Sequence, residues 1–524
     1  MNKKNQQDKE NISYNFCFFL SFFEGAFVIF AELIGAKILA SYYGNSLSVW
    51  TAIITVTISF LTIGYFIGSF YAKKENAKSI LSNLFIFSAF FLSIFSTWSS
   101  FLFAKFQEFE LLQSTIQSSI LLIGPPVLFL GITSPILIQE INKKLKSAGK
   151  SSGNVYSLST IAGILATIFL GYLFLPNWGI QGPLLFSFFS LSIISFYLRR
   201  NFIQISIFII GLYFISSPYF TEENNNKYFK LKYHTEGLMG QLKVVEQSFP
   251  INPKKYKILL INGIPQTLIL NTDESANSYW EYVHRISATA SLFKGKKALL
   301  FGMGGGVIAN ELQKQKFVLD VVDIDKRMFQ IAQNYFYFKQ KNTTQFYVDD
   351  ARHYIKTCTK KYDVIVIDIC TGEVQPSNVF TVEGISELKK MLNPKGIILI
   401  QYQEKINFNK ISGSQSIAKT FIHEKFKCYQ NIEKTDISSV ILACSPQEFD
   451  FTKLDSTQMT ENVKKQKWLS DFIKNPFTPI VKPRKNSVLL VDDKPILEHI
   501  NAETIELWRK TMINFYSPKF YKKN

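Results

Sequence analysis

Leu299 to Glu311 reads LLFGMGGGVIANE: an apolar run, a glycine cluster from Gly302 to Gly306, then residues able to open a helix. Glycines placed directly after a strand let the backbone approach a ligand closely, because they carry no Cβ and accept positive φ. Downstream, acidic residues stand at or near the ends of three further apolar runs: Asp323 in VVDID, Asp350 in VDDAR and Asp368 in DVIVIDICTGE. From Lys297 onward strand-like and helix-like runs alternate: ALLFG then 307–315, VLDVVDI then 327–337, FYVDD then 353–357, DVIVIDI then 382–392, and finally GIILIQ. Such alternation predicts a doubly wound, mostly parallel sheet. Ligands of these sheets sit at the carboxyl ends of the strands, where the glycines and aspartates fall, and Asp323 is placed to accept from ribose hydroxyls. The cluster with its three aspartates therefore predicts a nucleoside site. It does not follow the G-x-G-x-x-G spacing cleanly, and nothing resembles a P-loop.

Working upstream, short apolar runs at 241–246, 256–262 and 267–270, with turn signals such as Asn262-Gly263, predict a small antiparallel sheet. A polar linker at 221–227 precedes it. Before the linker lie seven apolar stretches: 15–39, 47–71, 80–103, 116–138, 155–175, 184–198 and 202–217, the last two short. A hydrocarbon core of about 30 Å needs roughly 20 apolar residues in a helix, so this part reads as a multi-spanning membrane region. Successive apolar helices also argue against a cleaved leader. The expected domains are 1–220, helical and transmembrane; 221–290, small and β-rich; and 291–524, nucleoside-binding.

Basic residues mark alternate connections: Lys3, Lys4 and Lys9, then Lys73, Lys74 and Lys78, then Lys143 to Lys150, then Arg199 and Arg200. The positive-inside rule places these on the inner face of the cell's inner (plasma) membrane. Seven crossings from an inner start would leave the second half outside. The chemistry expected of it needs a cytosolic nucleoside, so it is expected in the cytoplasm with one short segment not crossing. Glu24, Glu32 and Lys37 lie on the first stretch, and ionisable groups at membrane depth are candidates for a cation pathway or polyamine groove. Internal pairing is the plain alternative. Gly124, Pro125, Pro126, Gly131 and Pro135 are expected to interrupt or kink the fourth stretch.

The formal net charge is +18, of which +6 lies before residue 221, where fourteen Lys and Arg meet eight Asp and Glu. The remaining basic surface fits anionic lipid headgroups better than nucleic acid, because no nucleic-acid motif accompanies it. Five scattered cysteines show no metal-ligand or disulfide spacing, and the five histidines show no ligand spacing, so no metal is expected. Cys370, beside Asp368, has no activating neighbour in the sequence.

At this point the chain resembles the spermidine synthase family of aminopropyltransferases, in particular bacterial members fused to a multi-spanning membrane region. In the first half FFEGAFVIFAELIGAKILASYYGNSLSVW and VYSLSTIAGILATIFLGYLFLP carry the likeness; in the second GQLKVVE, NGIPQ, YWEYVHR, the glycine segment, VVDID, DDAR and DICTGEVQPSNVFT do. The resemblance implies a Rossmann-like sheet of the class I methyltransferase type. It implies that Gln241 and the loop Gly302, Gly304, Gly305 and Gly306 meet the nucleoside, Asp323 the ribose, and Asp350 with Ala351 the adenine edge. Asp368 and Tyr279 would be catalytic, with Glu281 and Glu373 on the substrate side. Decarboxylated S-adenosylmethionine would be the co-substrate, with no tightly bound cofactor; a polyamine and the lipid bilayer would be the partners, and self-association is left open.

The sequence departs from soluble members twice. They carry an aspartate in the glycine loop, where this chain has Gly304, and another three residues after the catalytic one, where it has Thr371. Glu373 could supply the second charge. These losses keep two rivals in play: a methyltransferase using S-adenosylmethionine, and a transporter or sensor with a noncatalytic nucleoside-binding domain. Later, NSVLLVDDKPILE at 486–498 resembles a late motif of the fused members, with Asp492 and Asp493 facing the acceptor or ending a strand.

Overall fold

The computed structural model describes residues 12–44, 47–106, 109–220, 229–237, 239–248, 255–270, 277–293, 296–370, 374–433 and 435–516. The chain forms two compact units: Met1–Glu223 with Thr235–Gln241, and Asn224–His234 with Leu242–Asn524. The strands expected to make a separate domain at 221–290 thus fall mostly within the second unit.

The first unit is helical. Its first described helix, Tyr14–Tyr43, starts where the Ser13 side chain accepts the Phe16 amide and stops at Gly44, whose φ of 87° favours glycine. Among the described residues, five helices are long and apolar enough to cross a membrane: Tyr14–Tyr43, Val49–Tyr71, Gly124–Leu145, Ala148–Trp178 and Gln181–Leu198. Two shorter apolar helices are Ala77–Ser93 and Phe202–Ser216. Ile58, Phe66 and Phe70 point outward on the second of the long helices, leaving an apolar face of the kind lipid covers.

Two expected spans are corrected. The stretch 80–103 is broken after Ser93 and continues as a second helix, Phe95–Phe106. The stretch 116–138 is divided at Ile123, between helices Leu111–Leu122 and Gly124–Leu145. Pro125 and Pro126 sit in the first turn of the latter, where a missing N–H costs nothing, so they interrupt the stretch, as expected, by beginning a helix rather than by kinking one. Pro135 does lie inside that helix. Glu24 is buried and accepts from Ser159 Oγ at 2.9 Å.

The second unit holds two sheets. Four strands, β1 (Phe229–Thr235), β2 (Leu242–Ser248), β3 (Lys255–Ile261) and β4 (Ile264–Leu270), lie in the order β1-β2-β3-β4, and β2, β3 and β4 pair antiparallel. The larger sheet contains β5 (Lys297–Phe301), β6 (Val318–Asp323), β7 (Thr344–Val348), β8 (Tyr362–Ile367), β9 (Leu392–Glu404), β10 (Lys427–Glu433), β11 (Ser438–Ser445) and β12 (Thr478–Pro479). Its order is β12-β10-β11-β9-β8-β5-β6-β7. The five strands from β7 to β9 are parallel, and β11, β10 and β12 add antiparallel.

Strand alternation explains why these strands read as continuous apolar runs. Ala298, Leu300, Val364 and Val366 enter one core, whereas Leu299, Phe301, Ile365 and Ile367 enter another on the opposite face. A parallel sheet needs helices on both faces to bury both sets. Helix Val307–Lys314, which follows β5, supplies Val307, Ile308 and Leu312 to the first core. Helix Val382–Met391, which follows β8, supplies Ile385, Leu388 and Met391 to the second. The chain thus leaves adjacent strands β5 and β8 toward opposite faces, and a crevice opens between their carboxyl ends.

Candidate active site

The crevice floor is backbone against backbone. Asp368 N donates to Phe301 O at 3.0 Å, and Gly302 N donates to Val322 O at 2.9 Å. Gly302 has φ +94°, and a Cβ built there would overlap the Asp368 carbonyl oxygen. Beyond it the glycine loop is tied from two sides. Met303 N donates to Asp323 Oδ2 at 2.8 Å, and Gly305 N donates to Thr267 Oγ1 of β4 at 2.8 Å. Gly306, at φ +74°, starts helix Val307–Lys314.

A cavity of about 190 Å³ occupies the crevice. Asp323, Asp350, Ala351, Asp368, Gly302 and Gly304 all line it. Asp323 Oδ1 also accepts Asp325 N at 2.8 Å. Burial nevertheless pushes its carboxyl up to about 6, against the pull of these two amides. A carboxylate has about four acceptor sites, so two remain for ligand hydroxyls. Asp350 caps helix Ala351–Thr357, its Oδ1 accepting Arg352 N at 2.9 Å and His353 N at 3.1 Å.

Asp368 stands just past the end of β8. Burial pushes its carboxyl up to about 6, partly offset by the Tyr282 hydroxyl, which donates to Oδ2 at 3.3 Å. The same burial, with the Asp368 charge, pushes the Tyr282 phenol well above its usual value and keeps it a neutral donor.

Several expected positions lie elsewhere. Tyr279 is 56% exposed, edge-on to Tyr256, and is not among the residues lining the cavity. The reason is local: Tyr279 N is held by Leu268 O at 2.9 Å before the helix begins, whereas Tyr282 lies on the inward face of helix Glu281–Ala290 with Val283 and Ile286. Glu281, also outside the lining, is ion-paired to Arg285 at 2.8 Å. Gln241 Nε2 donates to Glu236 Oε1 at 2.6 Å, within the first unit. Gly305 and Gly306 shape the loop without lining the cavity. Glu373 lies outside the described residues. Asp492 accepts from Arg352 Nη2 at 3.0 Å and Thr381 Oγ1 at 2.6 Å, tying the late motif to two helices.

The sequence reading passed over Thr267, Trp280, Tyr282, Gln375, Gln401 and Trp508, which also line the cavity. Helical periodicity within YWEYVHR was a usable signal for Tyr282. The others are set by tertiary packing and had none.

Residues 276–437 match the spermine/spermidine synthase domain family. The chain is similar to a polyamine aminopropyltransferase of Vibrio vulnificus, 33% identical over 141 residues that make up 26% of this chain and 47% of that protein. It is similar to polyamine aminopropyltransferase 2 of Aquifex aeolicus, 25% identical over 431 residues, 78% of this chain and 83% of that one. It is also similar to an N-terminal histidine N-methyltransferase of Emericella nidulans, 33% identical over 113 residues, 21% of this chain and 20% of that protein. The match thus spans about half the length of the Vibrio relative and most of the Aquifex one.

Proposed function

We propose, from the match of residues 276–437 to the spermine/spermidine synthase domain family, that the chain is a membrane-bound polyamine aminopropyltransferase. The donor is decarboxylated S-adenosylmethionine and the acceptor a di- or polyamine. The amine nitrogen attacks the carbon beside the sulfonium; the C–N bond forms, the C–S bond breaks with its electron pair leaving on sulfur, and the amine loses a proton.

The observation that carries this reading is the Asp368 carboxylate, half-buried at the cavity wall and steadied by Tyr282. Across β5 from it lie Asp323 and Asp350. An amine with a pKa near that of lysine is protonated at neutral pH, and presenting it uncharged costs about 4 to 5 kcal/mol. A carboxylate that holds the ammonium and accepts its proton offsets part of this, and the sulfide leaves without an acid. Asp323 is suited to the ribose, and Asp350 with Ala351 to the adenine edge. The resemblance also implies ligand contacts for Tyr279, Glu281, Gln241 and Glu373. The hydroxyl that donates to Asp368 is that of Tyr282.

A methyltransferase remains the second reading, favoured by the loop that offers Gly304 in place of an aspartate and by the likeness to the histidine methyltransferase. The full chain incubated with amine and each donor in turn separates the two. Methylthioadenosine formed from the decarboxylated donor is the expected product; S-adenosylhomocysteine alone, from the intact donor, would overturn the proposal.

The second unit is placed on the cytoplasmic side, where the donor is made available. The basic connections through Arg199 and Arg200 share the side of the amino terminus, so helix Phe202–Phe220 decides the matter. A carboxyl-terminal reporter active on one side is expected to read cytoplasmic, and a signal from the outer side would refute this placement.

A further inference from the structure

Two neighbouring segments of the second unit carry apolar side chains into the open. Val481 and Phe408 are 88% and 76% exposed, the highest values for a large apolar side chain among the described residues of that unit, and Ile411 adds a third at 44%. Scattered exposed apolar residues are ordinary, but these fall on segments bonded to each other. The Arg484 guanidinium lies over the Phe408 ring at 4.3 Å, and Asn486 Nδ2 donates to Phe408 O at 3.4 Å and to Lys410 O. Loop 405–412 and segment 480–487 are thereby joined, with Val481 three residues before Arg484.

Neither segment is slack. Lys405 N donates to Thr504 Oγ1 at 3.0 Å, Asn409 N to Asn407 Oδ1 at 2.9 Å, and Ile480 N to Cys428 O at 2.8 Å. The projecting side chains are thus held in water by a fixed backbone, at the usual cost of exposed apolar area. Cations interleave with them: Lys405, Lys410, Lys482 and Lys485 are exposed and Arg484 is half-buried. Glu503 answers two of these, pairing Lys405 at 2.8 Å and Lys410 at 2.7 Å.

An apolar layer lying a side chain's length beneath anionic groups is what a lipid bilayer presents. Lysine heads meet the phosphates while apolar side chains enter the acyl boundary. A nucleic acid would engage the cations and the Phe408 ring but would leave Val481 and Ile411 unused, since neither stacks on a base. We propose that loop 405–412 and segment 480–487 form a docking surface for an anionic bilayer, with Phe408, Ile411 and Val481 entering the interface and Lys410, Lys482 and Lys485 meeting phosphates. The inference rests on the membrane-bound part of the proposed function, which keeps a bilayer within tether length and gives a weak surface contact a high effective concentration. Through Thr504, which lines the cavity, the same loop is one hydrogen bond from the candidate active site.

The test uses the full chain in nanodiscs of acyl-brominated phosphatidylcholine, alone or with about 30% phosphatidylglycerol. Insertion of the first unit makes bulk binding uninformative, so the probe is Val481→Trp, read against the six native tryptophans of the wild type. Additional quenching is expected in the anionic discs. Changing both Lys482 and Lys485 to Gln should weaken docking about twentyfold, near fivefold per lysine, and about 0.5 M salt should release it. Hydrogen exchange in the unsubstituted chain should show 405–412 and 480–487 protected by phosphatidylglycerol. No additional quenching in anionic discs, equal quenching without phosphatidylglycerol, or no effect of the lysine changes would overturn the inference. So would protection that appears in detergent and grows with protein concentration, which would assign the patch to a second copy of the chain. Failure to enter either disc would refute the membrane-bound reading and this inference with it, whereas entry with an unquenched probe would refute this inference alone.

Discussion

Replacing Asp368 with Asn is expected to lower aminopropyl transfer by about 10³-fold while making the unliganded protein more stable at neutral pH. The two effects have one cause. Burial raises the folded-state carboxyl from its ordinary 3.8 to about 6. The folded protein therefore binds this proton more tightly than the unfolded chain does. Stability is lost as pH rises from about 4 to about 6, and above that the charged carboxylate costs about 3 kcal/mol. Asparagine has the same shape, still accepts from the Tyr282 hydroxyl, and carries no charge, so the cost disappears with the base. Thermal unfolding should give the variant a higher Tm at pH 7.5, with the gap closing toward pH 4. Wild-type transfer should fall as pH drops below about 6, where the carboxylate takes up its proton. A variant that keeps full activity would favour a noncatalytic nucleoside-binding domain, and one destabilised equally at both pH values would mean that Asp368 is a structural cap.

Much of this site was legible because the chain writes it locally. Strands buried on both faces read as unbroken apolar runs, and a loop that needs positive φ reads as glycine; together these give β5, the loop and the three strand-end aspartates. Gln401 was visible only as the end of GIILIQ, and its carbonyl acquires a role solely through Gln375 on another loop. Trp508 is farther still, about 140 residues beyond Asp368, on a helix whose own pattern says nothing about a cavity. The strands β10 and β11 lay in a region of the sequence that offered no signal, although their pairing with β9 completes the sheet. In the first unit hydropathy ran straight through Ile123, because a scale of apolarity does not register where a hydrogen-bond ladder stops. Gly124-Pro125-Pro126, expected to interrupt or kink the stretch, was the better signal: the break falls just before them.

The close approach of β5 and β8 makes Gly302→Ala the most damaging of the small substitutions. At φ +94° an alanine is strained whatever space surrounds it, and here its methyl would overlap the Asp368 carbonyl oxygen. Neither wall can move aside, because both are backbone: β5 and β8 are locked in register from Ala298 with Val364 to Phe301 with Ile367, and Asp368 N is itself bonded to Phe301 O. Relief requires parting the strands at the point where the loop and Asp368 meet, so a loss of about 3 kcal/mol or more is expected, together with loss of thermal protection by methylthioadenosine. Gly304→Asp is the informative contrast. That residue sits at φ +48°, a region aspartate tolerates, and the nearest atom to its added Cβ is the Thr267 hydroxyl at 3.1 Å. It should cost about 1 to 2 kcal/mol and keep the fold. Because it places a carboxylate on the loop lining the cavity, it should also shift donor preference toward the decarboxylated, cationic form. If Gly302→Ala unfolded at the wild-type temperature, the contact between the two strand ends would not be the constraint that fixes the site; if Gly304→Asp left donor preference unchanged, the glycine at that position would not explain how this chain differs from the soluble spermidine synthases it resembles.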